Sequence, residues 1–109
     1  MATRNLKNCP VARGLEIVGD RWTFLILRDL LLDGSGKFQE LQASLTGISP
    51  NTLSARLKKL EEHGLIERRF YGEHPPRAEY VLTKRGRELG PVVKALREWG
   101  AKQIVRSVS

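Results

Sequence analysis

The apolar positions of the N-terminal third recur at helical spacing. Pro10 suits a first helical turn and Gly19 a helix end, so a short first helix is predicted, with Cys9 or Asn8 as its cap. Asp20 is expected to cap a second helix, which is apolar on most sides and therefore central and buried. The apolar residues of that second helix are Trp22, Leu25, Ile26, Leu30 and Leu32. Residues 33–36 then form a turn.

Two further amphipathic helices flank a tight turn at residues 46–48. The third helix has Phe38, Leu41 and Leu45 on one face. Ser49 is a preferred N-cap and Pro50 a preferred first residue for the fourth helix, which Gly64 ends. Leu53, Leu57 and Leu60 form its apolar stripe. Projection at 3.6 residues per turn places the following residues on the other side: Asn51, Thr52, Ala55, Lys58, Lys59 and Glu62.

The pattern changes to period two after residue 65. Residues 66–71 and 78–82 alternate between the two sides of a strand, which predicts a two-stranded ribbon with a stiff, proline-containing tip. Thr83 should cap a fifth helix, which Gly90 and Pro91 should kink or split, and a short strand is expected near Lys37. The predicted fold is therefore mainly α with a small β-hairpin wing: a winged helix-turn-helix of four helices, two strands and a fifth helix.

Composition places this fold in one domain that spans residues 1–109, with short frayed ends. The chain has 19 Lys and Arg against 12 Asp and Glu, and the resulting charge of +7 favours a polyanionic partner. One cysteine rules out an intrachain disulfide framework, which fits a reducing cytoplasm. Neither a signal peptide nor an apolar run long enough to span a membrane is expected.

A helix-turn-helix with a basic wing predicts binding to double-stranded DNA, with the fourth helix in the major groove. The residues expected to contact DNA from that helix are Ser49, Asn51, Thr52, Ala55, Arg56 and Lys59. Arg56 projects nearer the leucine stripe, so a structural role is an alternative for it. From the wing we expect Arg69 and Arg77 to contribute, with Arg77 ahead because it lies at the tip, while His74 is read as a spacer. The alternative is a solvated helix face and a hairpin whose arginines pair with Glu67 and Glu79.

Two other classes of function fit less well. An enzyme is not expected, because neither of the two histidines lies at metal-ligand spacing and no phosphate loop or catalytic carboxylate pair is found, so no metal or cofactor is predicted. A winged-helix module that binds only protein would often lose its basic residues, and this chain keeps them. A steep loss of duplex binding with salt would distinguish DNA binding from that alternative.

Four motifs in order resemble the HxlR family of winged helix-turn-helix regulators, which is related to the MarR group. They are Cys9-Pro10, Gly-Asp-Arg-Trp at 19–22, Ile-Ser-x-x-x-Leu-x-x-Arg-Leu from residue 48, and Glu-Tyr-x-Leu-Thr from residue 79, with Ala78 as a small departure. The resemblance covers about residues 9–102. It implies bacterial origin, a homodimer, operator binding and transcriptional control. Repression is favoured over activation, because no added domain is present to recruit polymerase.

The first and last helices are each apolar on one face, which predicts a dimer interface that includes Val11, Leu15, Val92, Leu96 and Trp99. Five of the other aromatic residues are predicted to lie in the core: Trp22, Phe24, Phe38, Phe70 and Tyr80. Cys9, at a helix N-terminus beside basic residues, is a candidate redox sensor, and the resemblance adds that some relatives sense oxidants through a cysteine here. Simple packing of the thiol is the favoured alternative. A small molecule or an oxidant is thus the expected class of effector.

Overall fold

The computed structural model describes residues 6–32, 36–72 and 77–108 of the chain. A 3-10 turn at Leu6–Asn8 precedes six α-helices and two β-strands within those residues. The elements are α1 (Pro10–Val18), α2 (Arg21–Leu31), α3 (Phe38–Ser44), α4 (Pro50–Glu62), β1 (Ile66–Tyr71), β2 (Arg77–Leu82), α5 (Lys84–Arg87) and α6 (Gly90–Val108). The predicted winged helix-turn-helix is confirmed. The turn predicted at 33–36 and the tip with His74 fall almost entirely outside the described residues.

Side-chain caps begin four of the helices, because the first N–H groups of a helix have no partner within it. The Asp20 carboxylate accepts hydrogen bonds from the Trp22 and Thr23 N–H groups, at 2.7 and 3.2 Å. Ser49 and Thr83 start α4 and α5 in the same way. Cys9 takes this position in α1, where its Sγ lies 3.5 Å from the Ala12 nitrogen. The caps predicted at Asp20, Ser49 and Thr83 are confirmed. Of the two candidate caps for α1, Cys9 and Asn8, the N-cap is Cys9.

The core forms where α2, α3 and α4 meet the base of the hairpin. Ile26 and Leu27 of α2 are fully buried, as are Leu53 and Leu60 of α4. Leu41, Leu45, Ile48, Leu57, Leu65 and Ile66 complete this cluster. The α2 helix is central but not buried on all sides, because Leu32 at its end is half-exposed. The leucine stripe predicted for α4 is its buried face.

The two strands pair antiparallel, with Ile66 opposite Leu82 and Tyr71 opposite Arg77. The short strand expected near Lys37 is reduced to a single bridge between Lys37 and Glu79. Beside that bridge, the Tyr80 N–H donates to the Gly36 carbonyl at 2.8 Å. A Cβ on Gly36 would lie 1.8 Å from the Tyr80 carbonyl oxygen, so this backbone approach requires glycine.

The last predicted helix is split, as the sequence indicated, and the break lies just before Gly90 and Pro91, between a four-residue α5 and a nineteen-residue α6. Val93 is the most buried of the α6 side chains that the structure describes, at 8 % exposure. Within the described ranges, no helix has the combination of length and apolar character that crossing a membrane requires.

The prediction that Phe70 lies in the core is wrong, because its side chain is 69 % exposed. Phe70 lies on the same strand face as the buried Ile66, but β1 extends past the edge of the core, so the outer part of that face lies beyond the buried residues. Three of the other predicted core aromatics, Trp22, Phe38 and Tyr80, are partly buried against the core cluster. Phe24 is half-buried and lines a cavity of about 400 Å³ between α2 and α6.

Candidate nucleic-acid interface

The α4 helix presents one continuous solvent-exposed face opposite its leucine stripe. This face, called the α4 surface below, consists of Asn51, Ser54, Ala55, Lys58 and Glu62. Their spacing follows the helical repeat, so the five side chains line up along the helix. Thr52 and Lys59 are half-buried at the edge of this face. Polar and small side chains on an exposed helix of a helix-turn-helix are what direct reading of base edges requires.

Ser49 lies at the N-terminal end of the α4 surface and is exposed. Its hydroxyl accepts a hydrogen bond from the Thr52 N–H at 3.1 Å and donates one to the Thr52 hydroxyl at 2.8 Å. The pair thus closes the first turn of the helix. Pro50 has no N–H, and the Leu53 N–H donates to the Ser49 carbonyl. The Asn51 N–H therefore remains to donate, and with the positive end of the helix dipole it favours an anion such as a phosphate at this place.

Arg56, predicted among the DNA contacts, has a partner inside the protein. Its Nε donates to Asp20 Oδ2 at 2.5 Å, and both side chains are about a quarter to a third exposed. The bond joins the middle of α4 to the cap of α2. Burial alone would raise the pKa of Asp20, but the hydrogen bond from Arg56 and those from the Thr23 and Trp22 N–H groups outweigh it, so the pKa lies below the ordinary 3.8.

The hairpin carries three arginines in different surroundings. Arg69 forms an exposed bond to Glu67 at 3.2 Å, and Arg68 bonds to Glu61 of α4 at 3.1 Å. The predicted alternative was cross-strand pairing of the hairpin arginines with glutamates, whereas the Arg69–Glu67 pair lies within β1. Arg77 is exposed opposite Tyr71 and takes part in no ion pair among the residues that the structure describes.

A groove separates the α4 surface from the hairpin. Its walls are formed by Ser54, Lys58, Glu61, Glu62, Arg68 and Tyr80. Burial raises the pKa of the Tyr80 hydroxyl, and the nearby Arg68 acts in the opposite direction, so Tyr80 remains a neutral hydrogen-bond donor at physiological pH. Hydroxyl, ammonium and guanidinium groups on two walls can bind a phosphate strand, while Glu61 and Glu62 balance the charges of Lys58 and Arg68, so the groove itself carries no net positive charge.

Ser54 and Lys58 belong to this surface and were missing from the predicted contacts. The projection that selected Asn51 and Ala55 already put Lys58 on the same side, so the helical repeat alone could have found it. Ser54 projects to the side of the helix. Only the position of the hairpin shows that this side borders a groove and not open solvent.

The model of the HxlR-like helix-turn-helix family matches residues 17–108. The chain belongs to the HxlR family. An HTH-type transcriptional regulator of Synechocystis is 42 % identical over 93 residues, which cover 85 % of this chain and 68 % of that protein. The chain is also similar to the solved redox regulator HypR in its oxidized form, with 34 % identity and a TM-score of 0.80 over 86 % of this chain and 96 % of that one. A MarR-family regulator from Porphyromonas gingivalis has 32 % identity and a TM-score of 0.82, over 93 % and 97 % of the two chains.

Membership of the HxlR family has a direct functional meaning. The family and the relatives found here are transcriptional regulators with a helix-turn-helix DNA-binding domain, and they are not enzymes. The chain is therefore a transcriptional regulator of this type, and the prediction that it is not an enzyme is confirmed.

Proposed function

We propose that this regulator acts as a homodimer that binds a palindromic or pseudo-palindromic operator and represses transcription in the bacterial cytoplasm. The single observation that carries the proposal is the exposed α4 surface beside a basic hairpin, in a chain of the HxlR family. Each subunit places one α4 in a major groove. The two helices then lie about 34–36 Å apart on one face of the duplex.

Different residues on and beside the α4 surface contact bases and phosphates in the proposed complex. Asn51 and Ala55 lie where side chains meet base edges, since Asn pairs well with adenine and an Ala methyl contacts the thymine methyl. Lys58 and Lys59 neutralise phosphates or read guanine, and Ser49 with the first turn of α4 holds a phosphate. Thr52 supports Ser49 in that turn, and Arg56 sets the angle of the helix through Asp20. Arg69 and Arg77 contribute from the wing.

A second copy of the chain accounts for the apolar faces of α1 and α6. Val11 and Leu15 of α1 are 71 % and 60 % exposed, and Val92, Leu96 and Trp99 of α6 are about half-exposed or more. Leu6, Ile104 and Val105 are further exposed apolar residues near the two ends of the chain. Exposed apolar patches of this extent on a soluble domain mark interaction sites. Two-fold pairing of these helices would bury them and hold two copies of α4 in one orientation.

The test of DNA binding starts from duplexes selected by the wild-type protein out of a random-sequence pool. The affinity for the selected duplex should exceed that for a scrambled one, and should fall steeply with salt. Lys58→Ala should lower the slope of log affinity against log salt by about one unit, and Asn51→Ala should relax the choice of one base pair. Wild-type protein that does not prefer the selected duplex would contradict sequence-specific binding.

The dimer is tested with Leu96→Glu and Trp99→Glu. Each change should give a monomer by light scattering, with much weaker binding to a two-site operator, because a monomer lacks the linked second contact. Lys94→Glu is the matched control, since Lys94 is exposed on the same helix and projects away from Leu96 and Trp99. A wild-type monomer at micromolar concentration would contradict the dimer, whatever the result with DNA.

Cys9 is the proposed site of an oxidant effect, and the solved neighbour described as a redox regulator supports this proposal. Its thiol is half-buried at the start of α1, next to the proposed interface. An adduct or an intersubunit disulfide there would disturb the packing of α1 and change the spacing of the two α4 helices. The competing proposal is that Cys9 only packs and caps the helix.

A further inference from the structure

Phe70 is a large aromatic side chain that the core does not use. It lies on β1 with Ile66 and Arg68 on the same face, opposite Ala78, Leu82 and Tyr80 of β2. At the base of this face Ile66 is 2 % exposed, whereas Phe70 near the tip is 69 % exposed. An exposed ring at a defined place on a wing is an unusual use of a residue that normally contributes its apolar surface to a core.

The face that carries Phe70 is the one turned toward α4. Arg68, its neighbour on that face, bonds to Glu61 of α4, and Tyr80 opposite Arg68 lines the groove with Ser54 and Lys58. In duplex DNA a single phosphate strand separates each major groove from the next minor groove. If α4 occupies the major groove, that strand runs in the groove between α4 and the hairpin. Phe70, beyond Arg68 toward the tip, then meets the adjacent minor groove.

The surroundings of Phe70 suit DNA better than a protein partner. The Arg68 guanidinium lies on the same face, 5.9 Å from the ring centroid, and Arg69 and Arg77 are exposed on the opposite face of the hairpin. The negative potential of the minor groove attracts arginine side chains, and an apolar side chain on the same hairpin can enter between base steps. A protein interface would call for a wider apolar patch, and the extended apolar surface of this chain lies on α1 and α6.

We propose that Phe70 enters the minor groove next to the α4 contact and bears on a deformable pyrimidine–purine step, so that it determines sequence preference there. The inference rests on the proposed DNA-binding function. It adds a contact whose strength depends on how easily the DNA step deforms, besides the contacts of α4 with base edges. The step should lie about five base pairs, half a helical turn, from the base pairs that α4 contacts. Entry of the ring should also bend the duplex away from the protein's wing.

The experiment uses the full-length protein and the best duplex selected from a random-sequence pool. Phe70→Ala should weaken binding on the order of tenfold, the size of a lost base-pair preference, and should reduce the bend seen by circular permutation. Phe70→Leu should keep most of the affinity, because leucine also serves as a wedge. Replacing adenine by 2,6-diaminopurine at the step adds only a minor-groove amino group. It should weaken the wild type and leave Phe70→Ala unaffected.

Tyr71→Ala is the matched control, since Tyr71 is the adjacent aromatic on the opposite face, where the Lys37 ammonium lies over its ring at 5.2 Å. Replacing adenine by 2,6-diaminopurine should weaken the binding of Tyr71→Ala as much as it weakens the binding of the wild type. Equal affinity, bend and diaminopurine response in the wild type and Phe70→Ala would overturn the inference while α4 variants still lose binding. Failure of the wild type to prefer its selected duplex would instead overturn the DNA-binding proposal on which the inference rests.

Discussion

Arg56 and Lys58 are two residues apart on one helix, yet they face different partners. Arg56 turns toward α2 and bonds to Asp20, whereas Lys58 is exposed on the wall of the groove beside the hairpin. One side chain orients the helix and the other faces outward. The proposed mechanism needs both, because a reading helix held at the wrong angle cannot place its side chains on base edges.

The two residues can be separated by measuring stability and DNA affinity in parallel. Arg56→Ala should lower the free energy of unfolding by about 1–2 kcal/mol, because Asp20 loses its charged partner. Lys58→Ala should leave stability within about 0.5 kcal/mol, since the side chain is exposed. Urea melts measure the free energy of unfolding, and the salt dependence of duplex binding measures the contribution of each side chain to DNA affinity. Equal melts for the two variants would show that Arg56 does not anchor α4.

Asp20 makes stability depend on pH in the acid range. Its pKa is lowered in the folded chain, against the effect of burial, by the hydrogen bonds from Arg56 and the α2 backbone. A depressed pKa means that the folded state favours the carboxylate. This stability is therefore fully present above the unfolded value near 3.8 and is lost as the pH falls through the lower folded value.

Asp20→Asn tests this dependence, because asparagine still caps the helix but has no charge to titrate. Urea melts between pH 6 and pH 3 should show a smaller loss of stability for this variant than for the wild type. At pH 6 the variant should be the less stable of the two, because the bond to Arg56 has lost its charge. Parallel stability curves for the two proteins would refute the role given to Asp20.

At the scale of elements, α5 joins the hairpin to α6 through a close backbone contact. The Thr83 hydroxyl donates to the Gly64 carbonyl at 2.6 Å and accepts from the Gly86 N–H at 3.1 Å. Gly86 is buried, and a Cβ at this position would lie 2.0 Å from the Leu65 carbonyl oxygen. This small helix therefore sets where α6 leaves the domain, and with it the place of the proposed dimer surface.

Gly86→Ala should lower the free energy of unfolding by about 1–3 kcal/mol, because the added methyl group forces the backbone of α5 away from Leu65. Lys84→Ala in the same helix is the matched control and should have almost no effect, since Lys84 is exposed. Thermal melts of both variants suffice to compare them. If Gly86→Ala and the wild type melt at the same temperature, the close approach of Gly86 to the Leu65 carbonyl does not require glycine.

At the scale of the whole molecule, most of the exposed large apolar side chains of the described residues lie on the two terminal helices, α1 and α6. Val11 and Leu15 lie on α1, and Leu96 and Trp99 on α6, while the winged helix-turn-helix between them has its own core. In the proposed dimer, a change at α1 would alter the relative placement of the two subunits and with it the spacing of their α4 helices. This is the route proposed for an oxidant signal at Cys9.

Diamide treatment tests that route. If Cys9 responds, oxidation should change the affinity of the wild type for the selected duplex, and the response should disappear in Cys9→Ser. Serine keeps the cap on α1, so the substitution removes the thiol chemistry without removing the helix start. Non-reducing gels distinguish an intersubunit disulfide from a small-thiol adduct. The same response in both proteins, or none in the wild type, would leave Cys9 as a capping and packing residue.

The sequence by itself determined the elements and the family. Period 3.6 and period 2 patterns, with caps at Asp20, Ser49 and Thr83, depend only on neighbours along the chain, so local reasoning found the helices, the hairpin and the split at Gly90. The leucine stripe of α4 likewise predicted which side of that helix is buried.

The tertiary structure alone decided what each exposed or charged side chain meets. The partner of Arg56 lies 36 residues away at Asp20, a separation that no periodicity reports. The strand pattern placed Phe70 on an inward face, but only the packed domain shows that the core ends before that face does. Ser54 gained its place in the groove in the same way. Contacts between distant segments depend on how the helices and strands pack together. Local sequence patterns do not show which of these segments come close in space.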